Sequence, residues 1–411
     1  IIFILRINFM IKKKVKFFLK KNYPFLIKKY RDYTVSKSFS HNYWSKKKNK
    51  FIEIVEDIKN KPFDETLPKN FSEYKIKHDR ATLEINNTCN IDCIMCKTSL
   101  STRKKGKMDS ETLHVALERL KEAGVTHVTL HTIGDPLANP RLKEVFIELR
   151  KYNIKCSIST NGLLLYKHID TLKGFMDICP SIRFSIDGVN KKTYEKIRAK
   201  GKWKDLISNL ELCNNELRTS GLSTDISMTV SKDNFDEIGK FVIFFKKYIS
   251  YPFMDFSFNF VNSLSPDNSY FNKANVIPEH THINKMCHLV SGKVPYILID
   301  GKLSICCRDY TGELVIGDIN KSSLNEIRKS KKLELLQKAH KNGNLDNYNL
   351  CKTCFIIDDR INILFSGAMQ YFLFMNPNQN SAYFQNKANK LINFLRNKEL
   401  SKNKFSEILI N

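Results

Sequence analysis

The chain has 411 residues, 42% of them hydrophobic, with 68 Lys and Arg against 42 Asp and Glu for a formal net charge of +26. That length and apolar fraction suit one large domain plus one small one with a sizeable core, and no run of about 18 apolar residues free of charge occurs, so no membrane span is predicted. The charge is lopsided: residues 1–50 hold 15 Lys or Arg and the single acid Asp32, which places over half of the excess in an N-terminal extension.

Within that extension Ile11, Val15, Phe18 and Leu19 recur at helical spacing, with lysines at 12, 13, 14, 16, 20 and 21 between them. A basic amphipathic helix of this kind either packs on the domain with a solvated lysine face or makes peripheral contact with an anionic membrane surface. No nucleic-acid-binding module accompanies the charge, which disfavours nucleic acid as a partner. The opening apolar run is broken by Arg6 and lacks a cleavage site, so it does not read as a signal peptide. The expected location is cytoplasmic, with membrane association through the N-terminus as the variant.

From residue 80 strand-like and helix-like runs alternate. Strands are predicted over 82–86, 126–131, 154–159, 181–186, 223–230 and 254–260. Helices are predicted over 109–123, 140–152, 164–175, 191–199 with 203–218, and 233–249. Such alternation argues for a parallel sheet with helices outside it. Six units predict an α/β fold, a partial (β/α)6 TIM-like barrel, with function at the carboxyl ends of its strands.

The loop after the first strand reads Cys89-Asn90-Ile91-Asp92-Cys93-Ile94-Met95-Cys96. Three thiols at Cys-x3-Cys-x2-Cys spacing suit a soft metal centre. They are one ligand short of a closed zinc site and one short of a fully ligated cubane. No fourth ligand follows nearby, and three cysteines in eight residues without a signal peptide fit disulfides badly. One metal position is left for something other than protein.

Cys89, Cys93 and Cys96 resemble the cluster motif of the radical S-adenosylmethionine (SAM) enzymes. The resemblance implies that the three thiolates hold a 4Fe–4S cluster whose fourth iron takes SAM. It also implies that one electron splits the sulfonium to a 5′-deoxyadenosyl radical, which removes hydrogen from a substrate. A flavodoxin- or ferredoxin-type electron donor is the expected partner. Met95, where relatives often carry an aromatic residue, can still pack on an adenine ring.

Further segments carry the resemblance. Ile133-Gly134-Asp135-Pro136 stands where the family has a Gly-Gly-Glu-Pro-like turn that meets the SAM amino group, largely through backbone carbonyls. Gly134 and Pro136 preserve the turn chemistry, while Asp135 is equally readable as a capping residue. Thr160 and Asn161 after the third strand, and Ser185 and Asp187 after the fourth, resemble segments near the ribose and the methionine carboxylate. Arg198 corresponds to an arginine that pairs with that carboxylate, the alternative being a surface helix arginine. Thr229 flanks the adenine in this reading.

A second cysteine set follows: Cys287, then Gly301-x4-Cys306-Cys307, then Cys351-x2-Cys354. It resembles the SPASM and twitch extensions of radical SAM enzymes. Full SPASM domains carry further cysteines for a second auxiliary cluster, and nothing after Cys354 is cysteine. Cys287, Cys306, Cys351 and Cys354 therefore suit one auxiliary 4Fe–4S cluster, with Cys307 as a substitute for Cys306 and a four-thiolate zinc as the alternative occupant. The organisation expected is a basic helical extension over 1–79, a radical SAM core over 80–265, a small SPASM/twitch-like iron–sulfur domain over 266–360 and a helical tail over 361–411. Cys156, Cys179 and Cys213 read as core residues.

The function expected is SAM cleavage followed by hydrogen abstraction from a small-molecule or peptide substrate, with the auxiliary cluster as electron acceptor in a net oxidation. The radical does the hard step, so the sequence requires no general acid or base. His131 and Asp309 are the polar residues expected near the substrate. The alternative from another class is a metal-stabilised, non-catalytic binding protein that uses its basic N-terminus to hold a polyanion or a membrane surface.

Overall fold

The computed structural model describes residues 41–60, 79–96, 98–249, 256–261, 269–283, 287–292, 294–357, 359–397 and 400–410. The basic amphipathic pattern at 11–19 lies outside them. Among the described residues no helix is long and apolar enough to cross a membrane.

Six strands form where alternation predicts them: β1 (Arg80–Leu83), β2 (His127–Thr129), β3 (Lys155–Thr160), β4 (Ser181–Ser185), β5 (Ser223–Val230) and β6 (Phe256–Phe260). They lie side by side in chain order, all parallel, with Ala81 opposite Val128, Val128 opposite Cys156, Ile182 opposite Thr224 and Ile226 opposite Phe256. Because side chains alternate across a strand, this register puts Val128, Cys156, Ile158, Ile182, Phe184, Ile226 and Met228 in one buried layer. The opposite face carries Thr129, Ser157, Ser159, Ser185, Ser227 and Thr229, none of them fully buried. The concave side of this sheet is thus polar, unlike the packed interior of a closed eight-stranded barrel.

Helix α1 (His41–Asn60) buries Phe51 and Val55 and packs on the helix over Asp359–Met375, and the helices that follow it pack on the apolar layer. In α2 (Ser110–Glu122) the Asp109 carboxylate caps the first turn by accepting from Thr112 N at 2.7 Å, and Leu113, Ala116, Leu117 and Leu120 face the core at helical spacing. α3 (Leu142–Lys151) repeats the pattern. The run 164–175 divides into a short turn (Leu165–Lys167) and α4 (Ile169–Gly174), because the ring of His168 at the junction is anchored to Leu137 O at 2.9 Å. α5 (Lys191–Ile197) and α6 (Trp203–Leu212) follow β4; the second widens into a π turn over Cys213–Arg218, where the Arg218 guanidinium donates to Lys247 O and Ile249 O. α7 (Ile238–Phe245) sets Phe241 against Phe256 and Phe258 of β6.

The sheet continues past β1. β7 (Tyr296–Ile297) pairs parallel with β1, and an antiparallel meander adds β8 (Lys302–Ser304) and β9 (Val315–Asp318), giving nine strands in the order β9-β8-β7-β1-β2-β3-β4-β5-β6. Gly301 makes the turn into β8 with φ +78°; a Cβ there would stand 2.2 Å from Asn320 Nδ2. Two helices follow β9, α8 (Leu324–Ile327) and α9 (Lys331–Asn342), separated because Ser330 caps a new start.

At the other edge, β6 is covered by α10 (Asp359–Met375). Asn362 Oδ1 accepts from Phe260 N, Ser366 bridges Phe258 N and O, and Gln370 donates to Phe256 O. Residues four apart on one helix face thereby satisfy the open edge of the sheet. Helix α11 (Ser381–Arg396) lies against α7 and α10.

Candidate active site at the strand carboxyl ends

The cysteine loop leaves β1 and is held on three sides. Asp92 and Cys93 form a short antiparallel ladder with Ala199 and Arg198, and Ile94 N donates to Ile197 O at 3.0 Å, which ties the loop to the end of α5. The turn after β2 closes under it: Gly134 has φ +86°, a Cβ there would sit 2.7 Å from Thr88 O, and Asp135 N donates to that same oxygen at 2.9 Å. Only glycine lets the two loops approach this closely. Asn86 completes the lock by donating to Thr88 O and Asp135 O.

Each sulfur of the triplet has a polar neighbour. Asn161 Nδ2 donates to Cys89 Sγ at 3.7 Å, Arg198 Nη1 donates to Cys93 Sγ at 3.6 Å, and Cys96 Sγ lies 3.1 Å from Thr98 Oγ1. Burial pushes the Cys89 thiol up to about 11, with the charge of Asp135 acting in the same direction, and burial pushes Cys93 up to about 12. All three thiols are free and half-buried. Bare thiolates are costly here, so a cation that accepts them stabilises the loop and releases protons as it binds.

The loop opens on a cavity of about 350 Å³ lined by Cys89, Cys93, Cys96, Met95 and Thr98, by His131 to Asp135, by Ser159 to Asn161, and by Ser185, Arg198 and Thr229. The structure thus brings together most of the residues that the sequence singles out. Arg198 is no surface residue: its side chain is 11% exposed and pairs with Asp187 at 2.7 Å. Asp187 itself stands behind that arginine, off the cavity wall, and accepts from Thr229 N at 2.7 Å. There it orients Arg198 and the end of β5. Asp135 is on the wall, but its carboxylate is engaged by Leu137 N, Thr160 Oγ1 and Asn161 N; burial raises its pKa against those hydrogen bonds. It caps the Pro136–Ala138 turn and joins the ends of β2 and β3. His131 lines the cavity with no hydrogen bond from Nδ1, and burial lowers its pKa to about 4, leaving a neutral ring.

Asp309 is placed differently from the expectation. It is buried, accepts from Ser304 Oγ, Gly312 N and Leu314 N, and organises the β8–β9 connection away from the cavity wall. Its neighbours go where sequence reasoning did not place them: Cys307, Arg308 and Tyr310 also line the cavity. No spacing rule shows which way successive residues of an irregular loop point. The Ser101 hydroxyl donates to Tyr310 O at 2.6 Å, joining the cysteine loop to this segment.

The second cysteine set gathers beside the cavity. Cys287 perturbs Cys306 and Cys351 electrostatically, Cys354 perturbs Cys287 and Cys351, and burial raises Cys287 to about 11 and raises Cys351 as well. Arg308 N donates to Cys306 Sγ at 3.3 Å and Arg308 Nη1 to Cys354 Sγ at 3.7 Å. Cys307 lines the cavity while its thiol shares a hydrogen bond with that of Cys306. Among the described residues no three His, Cys, Asp or Glu side chains converge closely enough to hold a single metal ion. A cubane spreads its ligands over four irons, and two sets of free, half-buried cysteines with donors on their sulfurs fit that donor chemistry.

A family model of the radical SAM superfamily matches residues 83–245, and a model of the SPASM iron–sulfur cluster-binding domain matches residues 287–355. The chain belongs to the radical SAM superfamily, in the group that carries a SPASM domain after the barrel. The two models imply a 4Fe–4S cluster with SAM in the first domain and auxiliary iron–sulfur binding in the second. The chain is similar to the sporulation killing factor maturation protein SkfB of Bacillus subtilis (strain 168), with 24% identity over 163 residues, 39% of this chain and 38% of that protein. It is similar to the S-adenosyl-L-methionine-dependent 2-deoxy-scyllo-inosamine dehydrogenase of Niallia circulans, with 22% identity over 279 residues, 66% of this chain and 90% of that protein. The crystal structure of Streptococcus suis SuiB bound to precursor peptide SuiA aligns with a TM-score of 0.49 and 15% identity over 63% of this chain and 66% of that one. The match to SkfB spans well under half of that relative's length.

Proposed function

We propose that this chain uses SAM to remove a hydrogen atom from a peptide or small-molecule substrate, in a net oxidation. Cys89, Cys93 and Cys96 would hold a 4Fe–4S cluster that, with SAM, would supply the radical chemistry for that step. The chain's own residues then have separable tasks. Asn161, Arg198 and Thr98 surround the sulfurs and tune how readily charge is added there. The Gly134 turn and the wall residues Thr160, Ser185 and Arg198 bind and orient SAM in this reading, with Met95 and Thr229 flanking its adenine. Cys287, Cys306, Cys351 and Cys354 would hold a second 4Fe–4S cluster, an acceptor for one electron. A flavodoxin- or ferredoxin-type protein supplies the reducing electron in this reading.

The observation that carries the proposal is the shared cavity. Its lining includes the cysteine triplet and the strand ends together with Cys307, one residue from Cys306 and so one residue from the auxiliary cysteines. A substrate held there touches the SAM side and the auxiliary side at once. The similar proteins include a maturation protein and a dehydrogenase of 2-deoxy-scyllo-inosamine, which supports both substrate types. The test is anaerobic incubation of the reconstituted protein with SAM and dithionite. 5′-Deoxyadenosine is expected from the wild type and from Cys351→Ala, and none from Cys89→Ala; its persistence in Cys89→Ala removes the assignment.

A further inference from the structure

Beyond residue 50 the chain carries a net charge of +12, and +10 of it falls in two segments tied to the cysteine loop, 98–108 and 190–204, which hold 11 Lys or Arg against the single acid Glu195. The second segment is strapped to the loop by its backbone: Asp92 and Cys93 pair with Ala199 and Arg198, and Ile94 N donates to Ile197 O. Lys191, Lys192, Lys196, Lys200, Lys202 and Lys204 all stand exposed on that strap. Lys200 Nζ lies 3.6 Å from Asp92 of the loop, and the Glu195 carboxylate accepts from Trp203 N. In the first segment Lys105 Nζ donates to Thr98 O, and Thr98 Oγ1 lies 3.1 Å from Cys96 Sγ.

Local structure does not ask for these cations. Lys191 and Lys192 sit in the first turn of α5 and Lys204 in the first turn of α6, while Lys202 holds the N-cap of α6 and makes no capping hydrogen bond. Helix starts favour acids in the first turn and Ser, Thr, Asp or Asn at the cap. Lys200 takes φ +69°, a conformation uncommon outside glycine and asparagine. Lysines kept where the backbone disfavours them are positive charge held for a partner. We propose that the lysine strap over 190–204 is the docking surface for an acidic one-electron carrier protein of the flavodoxin or ferredoxin type. This rests on the radical SAM reading for the need of an electron, and deepens it by naming where the donor binds and the sign of its surface. The carrier gives up one electron, and the group held by Cys89, Cys93 and Cys96 takes it; no bond forms between the proteins. Complementary charge speeds the encounter and fixes its orientation. A polyanion or a membrane would be served by lysines anywhere on the surface, whereas an electron donor needs them beside the sulfurs.

The probe is an acidic flavodoxin. Its dissociation constant from the reconstituted protein is measured by calorimetry, and 5′-deoxyadenosine formation is followed with reduced flavodoxin or with dithionite as the donor. The test variant is Lys191→Glu/Lys192→Glu/Lys202→Glu/Lys204→Glu. None of these four lysines holds an ion pair among the described residues, and glutamate in a first helical turn does not weaken the helix. The control is Lys331→Glu/Lys332→Glu/Lys338→Glu/Lys341→Glu on α9, where all four are exposed. Flavodoxin affinity for the wild type is expected to fall as salt rises. The strap variant is expected to weaken flavodoxin binding roughly tenfold or more and to slow the flavodoxin-driven reaction in proportion. Its dithionite-driven rate, and every rate and affinity of the α9 control, should stay within about twofold of the wild type. The proposal is overturned if flavodoxin does not bind the wild type, if the strap variant binds it as well as the wild type does, or if the α9 control loses as much. It also falls if the strap variant loses capture of phosphatidylserine vesicles or of RNA while flavodoxin binds as before. Failure of the enzyme reading shows separately, as absence of 5′-deoxyadenosine with dithionite whatever flavodoxin binding does.

Discussion

Arg103→Met tests how the cysteine loop is fastened. Glu84, the residue after β1, is fully buried and receives Arg103 Nη1 and Nη2 at 2.7 Å each, the Thr132 hydroxyl, and Ile299 N at 3.3 Å. One carboxylate thus joins the first strand, the loop beyond the cysteines, the end of β2 and the strand that opens the SPASM domain. The Arg103 side chain is only 11% exposed, so solvent screens little of the interaction. Removing one partner of a buried pair costs about 3–5 kcal/mol. Two donors remain on Glu84, which sets the expectation near the lower end, about 3 kcal/mol. Equilibrium urea unfolding, followed by tryptophan fluorescence, measures it. Lys331→Met, at an ion pair 70% and 65% exposed, is the control and should lose less than about 1 kcal/mol. The double variant Glu84→Met/Arg103→Met should be more stable than the sum of the single losses predicts, because no unpaired charge is left behind. A loss below about 1 kcal/mol for Arg103→Met, indistinguishable from the exposed control, refutes the reasoning.

Three further outcomes follow from the site. His131 is held near pKa 4 against an ordinary 6.5; its contribution to stability is present above about pH 6.5 and is lost as pH falls toward about 4, where the unfolded chain takes up a proton that the folded one refuses. His131→Asn should therefore flatten up to about 3 kcal/mol of the acid limb of stability in that window, measured by urea unfolding between those pH values. Gly134→Ala, at φ +86° and 2.7 Å from Thr88 O, should cost about 1–3 kcal/mol and release iron from the barrel site on gel filtration. Arg198→Gln removes a positive hydrogen-bond donor from Cys93 Sγ and should move the midpoint potential of the barrel site to more negative values in an EPR-monitored titration.

The barrel was legible because two periodicities carry it. Alternation in β5 marks Thr224, Ile226, Met228 and Val230 as one buried row, and the spacing of Leu113, Ala116, Leu117 and Leu120 marks the inner face of α2. The cysteine triplet was legible from spacing alone, since three thiols in one loop constrain their own geometry. Roles set by distant partners were not. Asp187 acts through Arg198 and Thr229, and Asp309 through a loop whose turns have no sequence period. The pairing of β7 with β1 joins residues more than two hundred apart. Neither Tyr296 nor Ile297 says which strand edge it will meet, and nothing in Asn362, Ser366 and Gln370 announces that they close the edge of β6.

The measurement that bears most directly on the central claim is iron and sulfide content after anaerobic reconstitution, for the wild type and for the Cys89/Cys93/Cys96 triple alanine variant. Two 4Fe–4S sites require about eight irons per chain in the wild type, falling to about four in the variant. About four falling to near none would remove the auxiliary cluster and the electron-acceptor role, and no iron in either protein would contradict the account altogether.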